Sequence, residues 1–218
     1  MSASRIPAAG RWWLAGLAAL AVAAVSLVAA TSASATPPGI PSTGTAQSEL
    51  NGLTVADEGS MDGYDRDKFP HWIPIEGNCD TRETVLKRDG DGVTVGDDCY
   101  PSAGSWTSPY DGATWTEPAD VDIDHVVPLA EAWRSGAADW TTDRRRDFAN
   151  DLDDPQLIAV TDNVNQAKGD KDPASWKPPL KSYYCTYSKM WIHSKSVWKL
   201  TAQPDEKTAL QSMLDTCS

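Results

Sequence analysis

The chain has 218 residues, with 31 Asp or Glu against 19 Lys or Arg and a formal net charge of −12 at pH 7. A protein this acidic does not draw nucleic acid over its whole surface, so an anionic polymer must approach a restricted face. The length suits one domain with a real core, and excludes a chain that depends on cross-links alone.

The chain opens on Arg5 and Arg11, an apolar run over 14–30, and a small-x-small site at Ala33-Ser34-Ala35. This predicts a signal peptide over 1–35. The run is near the lower length limit for a membrane anchor, but its alanine content and cleavage site favour removal. A secreted, extracellular protein with no stable membrane association is expected. Loss of Arg5 and Arg11 takes the net charge from −12 to −14. Residues 36–60 begin rich in Pro, Ser, Thr and Gly, and read as a flexible leader with a short helix at 47–57. The domain proper spans 61–218. Charge is uneven along it: residues 36–160 carry 25 acids and 9 bases, whereas 161–218 carry 6 acids and 8 bases. Approach of a polyanion is therefore expected through the C-terminal part, helped by Arg144, Arg145 and Arg146.

Four cysteines in an exported chain read as two disulfides, and no CxxC spacing suggests zinc. Between Cys79 and Cys99, TVLK and VTV predict strands about an Asp/Gly turn at 89–92. A hairpin folding there would bring the two cysteines together. Cys185 and Cys217 flank a predicted antiparallel helix pair, 182–200 and 204–216, with Pro204 opening the second. Four cysteines allow three pairings, and those two geometries favour 79 with 99 and 185 with 217.

VDIDHVVPL predicts a strand carrying adjacent Asp124 and His125. LAEAWRSGAA predicts a short helix ending at Gly136, and TTDRRRDFANDL a second helix capped by Thr141 or Thr142. QLIAV is another short apolar strand. TDNVNQAKGD predicts a helix capped by Thr161 or Asp162 and stopped at Gly169.

DIDHVVPLAEAW followed by QLIAVTDNVNQAKGD resembles the HNH endonuclease family (His-Asn-His), and more narrowly its small exported bacterial nucleases. The catalytic motif spans about 121–172. The resemblance implies an α+β fold with a ββα-metal (HNH) core. Around it stand an N-terminal disulfide-linked β-hairpin and a C-terminal disulfide-linked helix pair. Chemically, a phosphodiester needs a base for water and a cation for the developing charge. His125 is the candidate general base. Asp124 is a hard oxygen ligand, and the resemblance implies Asn165 as the second protein ligand to Mg²⁺ or Mn²⁺. Lys168, three residues on, either touches a phosphate or sits in solvent.

The resemblance departs at the middle letter of HNH, where Gln156 stands in place of the usual Asn. Asn150, slightly earlier, is the other candidate for orienting His125. In similar nucleases the CDTRETVL segment lies near the active site, so Arg82 could hold the scissile phosphate. Glu83 is either its ion-pair partner, a further acid near the metal, or half of a cross-strand surface pair. DGDGVTVGDD lacks the oxygen side chains of a calcium loop. His71 has no evident partner, and His193 lies in an aromatic helical run. Eight tryptophans beyond residue 35 are expected to fill the core. There is no GxSxG elbow and no P-loop.

The expectation is a monomeric, metal-dependent HNH endonuclease. It hydrolyses DNA, with RNA as a second candidate substrate, shows little sequence preference and leaves 5′-phosphate ends. The competing class is a non-catalytic module on the same scaffold that binds extracellular nucleic acid or cell wall.

Overall fold

The computed structural model describes residues 1–2 and 35–217, so the segment expected to be a signal peptide lies almost wholly outside the described residues. In chain order the elements are α1 (Thr43–Gly52), β1 (Pro74–Glu76), β2 (Cys79–Asp80), α2 (Thr81–Asp89), β3 (Asp91–Val95) and β4 (Pro101–Thr107). There follow β5 (Thr114–Trp115), β6 (Val121–His125), α3 (Leu129–Arg134), α4 (Thr142–Ala149) and β7 (Leu157–Thr161). The chain ends in α5 (Asp162–Lys168), α6 (Tyr184–Trp198) and α7 (Pro204–Leu214). No helix among the described residues is long and apolar enough to cross a membrane.

The centre of the fold is the antiparallel pair β6–β7, in register with Asp124 opposite Ile158 and His125 opposite Leu157. Strand side chains alternate between faces, and here the two faces meet different apolar clusters. Ile158 and Val160 join a large cluster with residues of α1, α3, α4, α6 and α7. Val121, Ile123, Leu157 and Ala159 join a smaller one with Val85, Leu86 and Trp106. The Trp106 indole also donates to the carbonyl of Leu86 at 2.8 Å, which fixes α2 against the β3–β4–β5 sheet. Burial on both sides makes β7 buried at every residue, which is why QLIAV is a continuous apolar run rather than an alternating one.

Pairing continues past the end of β6. Val126 N–H donates to the Gln156 carbonyl at 2.8 Å. The Gln156 side-chain amide then accepts from Val127 N–H at 3.2 Å and donates to the Val127 carbonyl at 2.8 Å. A side chain thus extends the ladder by one residue and holds the segment just after His125.

The helical end of the molecule forms as the sequence suggests. α6 and α7 pack together, with Pro204 in the first turn of α7 and a capping box between Gln203 and Glu206. The disulfide Cys185–Cys217 ties the start of α6 to the segment after α7. Helix α1 lies against both. It begins at residue 43 with Ser42 as its cap, buries Ala46 and Leu50, and joins α7 through reciprocal amide bonds between Gln47 and Gln211 at 2.8 and 2.9 Å. The short helix expected at 47–57 therefore starts four residues earlier, within the Pro/Ser/Thr-rich leader.

One expectation is overturned. The Cys79–Cys99 disulfide is present, but it does not staple a hairpin of TVLK and VTV. Residues 81–89 are helix α2, because Asp80 and Glu83 form a reciprocal capping box that outweighs the β-branched Thr84 and Val85. Strand β3 pairs instead with β4. The disulfide links β2, just before α2, to Cys99 in the turn between β3 and β4. Glu83 accepts from Asp80 N–H at 2.8 Å, so its carboxylate closes a helix rather than a cross-strand pair. Glu83→Ala should cost about 1 kcal/mol of stability, and Glu83→Gln, which can still accept that bond, less than about 0.5. Urea unfolding of both variants checks this.

Candidate active site

His125 ends β6 at one side of a pocket of about 280 Å³, whose walls also include Tyr64, Arg66, Asp124, Asn165 and Asp170. The imidazole is buried. Its Nε2 lies 2.9 Å from the carbonyl oxygen of Ala149, the last residue of α4. A carbonyl can only accept, so Nε2 carries the hydrogen. Nδ1 is then the lone-pair nitrogen and has no hydrogen-bond partner among the described residues. Burial pushes the His125 pKa down to about 3, opposed by the Ala149 bond and helped by the charges of Arg66 and Lys168. The imidazole is thus neutral at pH 7.

The ring is held from the side as well. Trp72 stacks on it, with centroids 5.4 Å apart and planes 29° apart, and His71 meets it edge-on at 6.5 Å. His71 Nδ1 is fixed 2.8 Å from the carbonyl of Phe69. Trp72 adopts φ 57°, in the left-handed region, a backbone cost of about 1–3 kcal/mol that the surrounding contacts must hold. Sequence reasoning set His71 aside and placed Trp72 in the core. Neither carried a signal for this site, since loop residues that meet a strand fifty positions later follow no periodicity.

Asp124 is buried beside Lys168. Its Oδ1 accepts from Lys168 Nζ at 2.7 Å and its Oδ2 from the Tyr110 hydroxyl at 2.6 Å. The same ammonium donates to the His125 carbonyl at 2.8 Å. Burial pushes the carboxyl pKa up, and Lys168 and Tyr110 pull it back. Burial pushes the Lys168 ammonium down, and Asp124 opposes that. Lys168 is therefore neither in solvent nor on the pocket wall. It is a positioning residue that ties α5 to β6.

Asn165 lies one turn before Lys168 and lines the pocket. Its Nδ2 donates to Asp122 Oδ2 at 3.0 Å. The acceptor sets the orientation of the amide, leaving Oδ1 as the free atom. Asp122 escaped the sequence reading, although period-2 alternation from Asp124 puts it on the same strand face. A divalent cation fits this donor set. Asp124 retains lone pairs beyond those used by Lys168 and Tyr110, and Asn165 Oδ1 is uncommitted. Among the described residues no group of three or more His, Cys, Asp or Glu is arranged to hold a metal ion. Two hard oxygens and retained water suit Mg²⁺ or Mn²⁺ better than zinc.

The remaining candidates fall elsewhere. Arg82 donates through Nη2 to the carbonyls of Pro118 and Val121 at 3.2 and 3.1 Å, anchoring the start of β6. Asn150 does not touch His125. It donates to the carbonyls of Pro70 and Arg146, each at 2.7 Å, and accepts from Ile73 N–H and the Thr81 hydroxyl. It thereby secures the loop that carries His71 and Trp72. Gln156 acts on Val127, two residues past the histidine. His193 bridges Glu49 and Asp154 at 2.9 and 3.2 Å, far from any chemistry.

A neutral imidazole with an open nitrogen thus stands beside oxygen donors in one pocket. Residues 94–213 match the family described as GmrSD restriction endonucleases, C-terminal domain. The chain belongs to that family. An "Uncharacterized secreted protein" of Arthroderma benhamiae is 68% identical over 182 residues, which cover 84% of this chain and 89% of that protein. That relative is a fungal protein, whereas the motif resembles bacterial ones. Its name and the two disulfides agree on an extracellular location. No solved structure matches the chain.

Removing one member of the buried pair leaves a buried charge uncompensated. Lys168→Met should cost about 3–5 kcal/mol in urea unfolding. Adding Asp124→Asn should recover a large part of that loss, giving a coupling energy of at least about 1 kcal/mol in the double-mutant cycle.

Proposed function

We propose that the protein is a secreted, metal-dependent HNH-type endonuclease that hydrolyses DNA phosphodiesters with little sequence preference and leaves 5′-phosphate ends. RNA is a second substrate of the same chemistry. The observation that carries this reading is His125, neutral, fixed through Nε2 on a carbonyl and open at Nδ1 in a pocket it shares with Asn165. The antiparallel β6–β7 pair followed directly by α5 supports the ββα reading of the core.

In this account His125 Nδ1 takes a proton from a water in the pocket while Nε2–H stays on the Ala149 carbonyl. The charge that develops on the ring is partly met by that bond. Trp72 keeps the ring from rotating and limits solvent on its face. Asp124 and Asn165 would hold Mg²⁺ or Mn²⁺, which when bound supplies Lewis-acid stabilisation of the leaving 3′-oxygen. Lys168 opposes the upward push of burial on the Asp124 carboxyl and keeps α5 close enough for Asn165 to line the pocket. No element among the described residues is left over as a base-reading module, so backbone contact would dominate and affinity would fall as salt rises.

The test is plasmid degradation by the mature protein with Mg²⁺, with Mn²⁺ and with EDTA. Cutting should require the metal, and His125→Ala should lower it by about 10²–10⁴-fold, the usual worth of a general base. Asn165→Ala should raise the metal concentration needed for half-maximal cutting. Stoichiometric DNA binding without turnover, by a folded protein supplied with metal, would move the reading to a binding module.

A further inference from the structure

A nuclease that carries a net charge of −12 needs a cation at its reaction centre to hold a phosphate. The cations near this pocket are nearly all committed. Lys168 is buried on Asp124. Arg82 is spent on two carbonyls. Arg134, at the edge, is paired with Glu58, Glu131 and Asp170 at 3.1, 3.1 and 2.8 Å. Asp170, itself on the pocket wall, is held in its ionised form by that contact and offers nothing to an anion.

Arg66 is different. It is the one cationic side chain among the described residues that line the pocket. Its guanidinium has no hydrogen bond or ion pair to any described residue, and the residue is exposed. Its charge is felt at both His125 and Tyr64. The backbone that carries it is well anchored. Residues 66–68 form a 3₁₀ turn capped by Asp65, and Phe69 N–H donates to the Arg66 carbonyl at 3.0 Å. On one side Phe69 is buried against Trp133 and Phe148. On the other Tyr64 packs on the same Trp133, and Arg145 Nε donates to the Lys68 carbonyl at 2.9 Å. An uncommitted guanidinium on a fixed turn, facing the same pocket as the base, is placed to grip an anion through two parallel N–H bonds.

We infer that Arg66 is the phosphate-holding residue of this site, contacting the non-bridging oxygens of the scissile phosphate while His125 handles the water. This rests on the nuclease reading above. It gives to Arg66 the role that the sequence suggested for Arg82. Arg66 lies outside residues 94–213 that match the family, so this contact is supplied by the segment that precedes the family domain.

The experiment uses the mature protein and compares Arg66→Ala, Arg66→Lys and Lys87→Ala, the last removing an exposed cation of α2 as a charge control. Two substrates are used: plasmid DNA and bis(p-nitrophenyl) phosphate, a diester with one phosphate and no flanking contacts. Unfolding midpoints confirm that each variant is folded. The inference expects Arg66→Ala to lose about 100-fold or more in turnover on both substrates, the scale of one donor aimed at transition-state charge. Arg66→Lys should regain part of it, and Lys87→Ala should stay within about twofold of wild type on the small diester. The slope of log(kcat/KM) for DNA against log salt should also shrink by about one in Arg66→Ala. A loss on DNA but not on the small diester would overturn the inference, since it would mean a contact to a flanking phosphate. So would a loss under threefold on both. Wild type that cuts neither substrate would remove the nuclease reading and this inference with it.

Discussion

A single ammonium holds the site together. Lys168 Nζ sits between Asp124 Oδ1 and the carbonyl of His125, and it is fully buried. Desolvating an ammonium costs several kcal/mol, which the contact with Asp124 must offset. That cost is what makes the arrangement specific. The end of α5 cannot slide or rotate away from β6 without leaving a charge unpaired in the core. With Lys168 fixed, Asn165 one turn earlier is fixed too, and its amide is aimed by Asp122 on the same strand. Asp124, His125 and Asn165 therefore share a pocket because of a contact that never reaches the pocket.

The electrostatics divide the work. Most acidic residues lie on the surface of an exported protein, where they favour solubility. Around the pocket the carboxylates are individually managed. Asp124 has Lys168 and Tyr110, Asp122 accepts from Asn165, and Asp170 has Arg134. His125 is neutral because it is buried, and its Nε2–H is already occupied. What remains open, beside the unused lone pairs of Asp124, is one imidazole nitrogen, one amide oxygen and one guanidinium. On the proposed reading, a phosphodiester with an attacking water would meet those three groups.

The elements with strong local signals were legible. β6 and β7 declare themselves by apolar runs between turn residues, and α5 by its Thr161 start and Gly169 stop. α7 is opened by Pro204, and the helix pair α6–α7 gave the Cys185–Cys217 pairing on sound geometry. The other disulfide was paired correctly on a wrong geometry. DTRE is a capping box written in the sequence, and reading TVLK by its β-branched residues concealed it. In the site, Asp124, His125 and Asn165 follow from the motif. The burial of Lys168 does not, because i, i+3 spacing gives a shared face and says nothing of what covers it. Tyr110, Trp72 and Arg66 reach the site from loops through tertiary packing alone. Asn150 and Gln156 were alternative candidates for orienting the histidine; Asn150 bonds the 70–73 loop instead, Gln156 holds Val127, and the bond to the imidazole comes from the Ala149 carbonyl.

The central claim is that His125 stands ready as a neutral base with its hydrogen on Nε2 and its lone pair on Nδ1. Long-range ¹H–¹⁵N spectroscopy of the imidazole side chains measures this directly, with His125→Ala assigning the signal among the three histidines. At neutral pH the account predicts a single neutral tautomer protonated at Nε2, with the Nδ1 resonance in the range of an unprotonated nitrogen. A hydrogen on Nδ1, or an imidazolium carrying both, would contradict it.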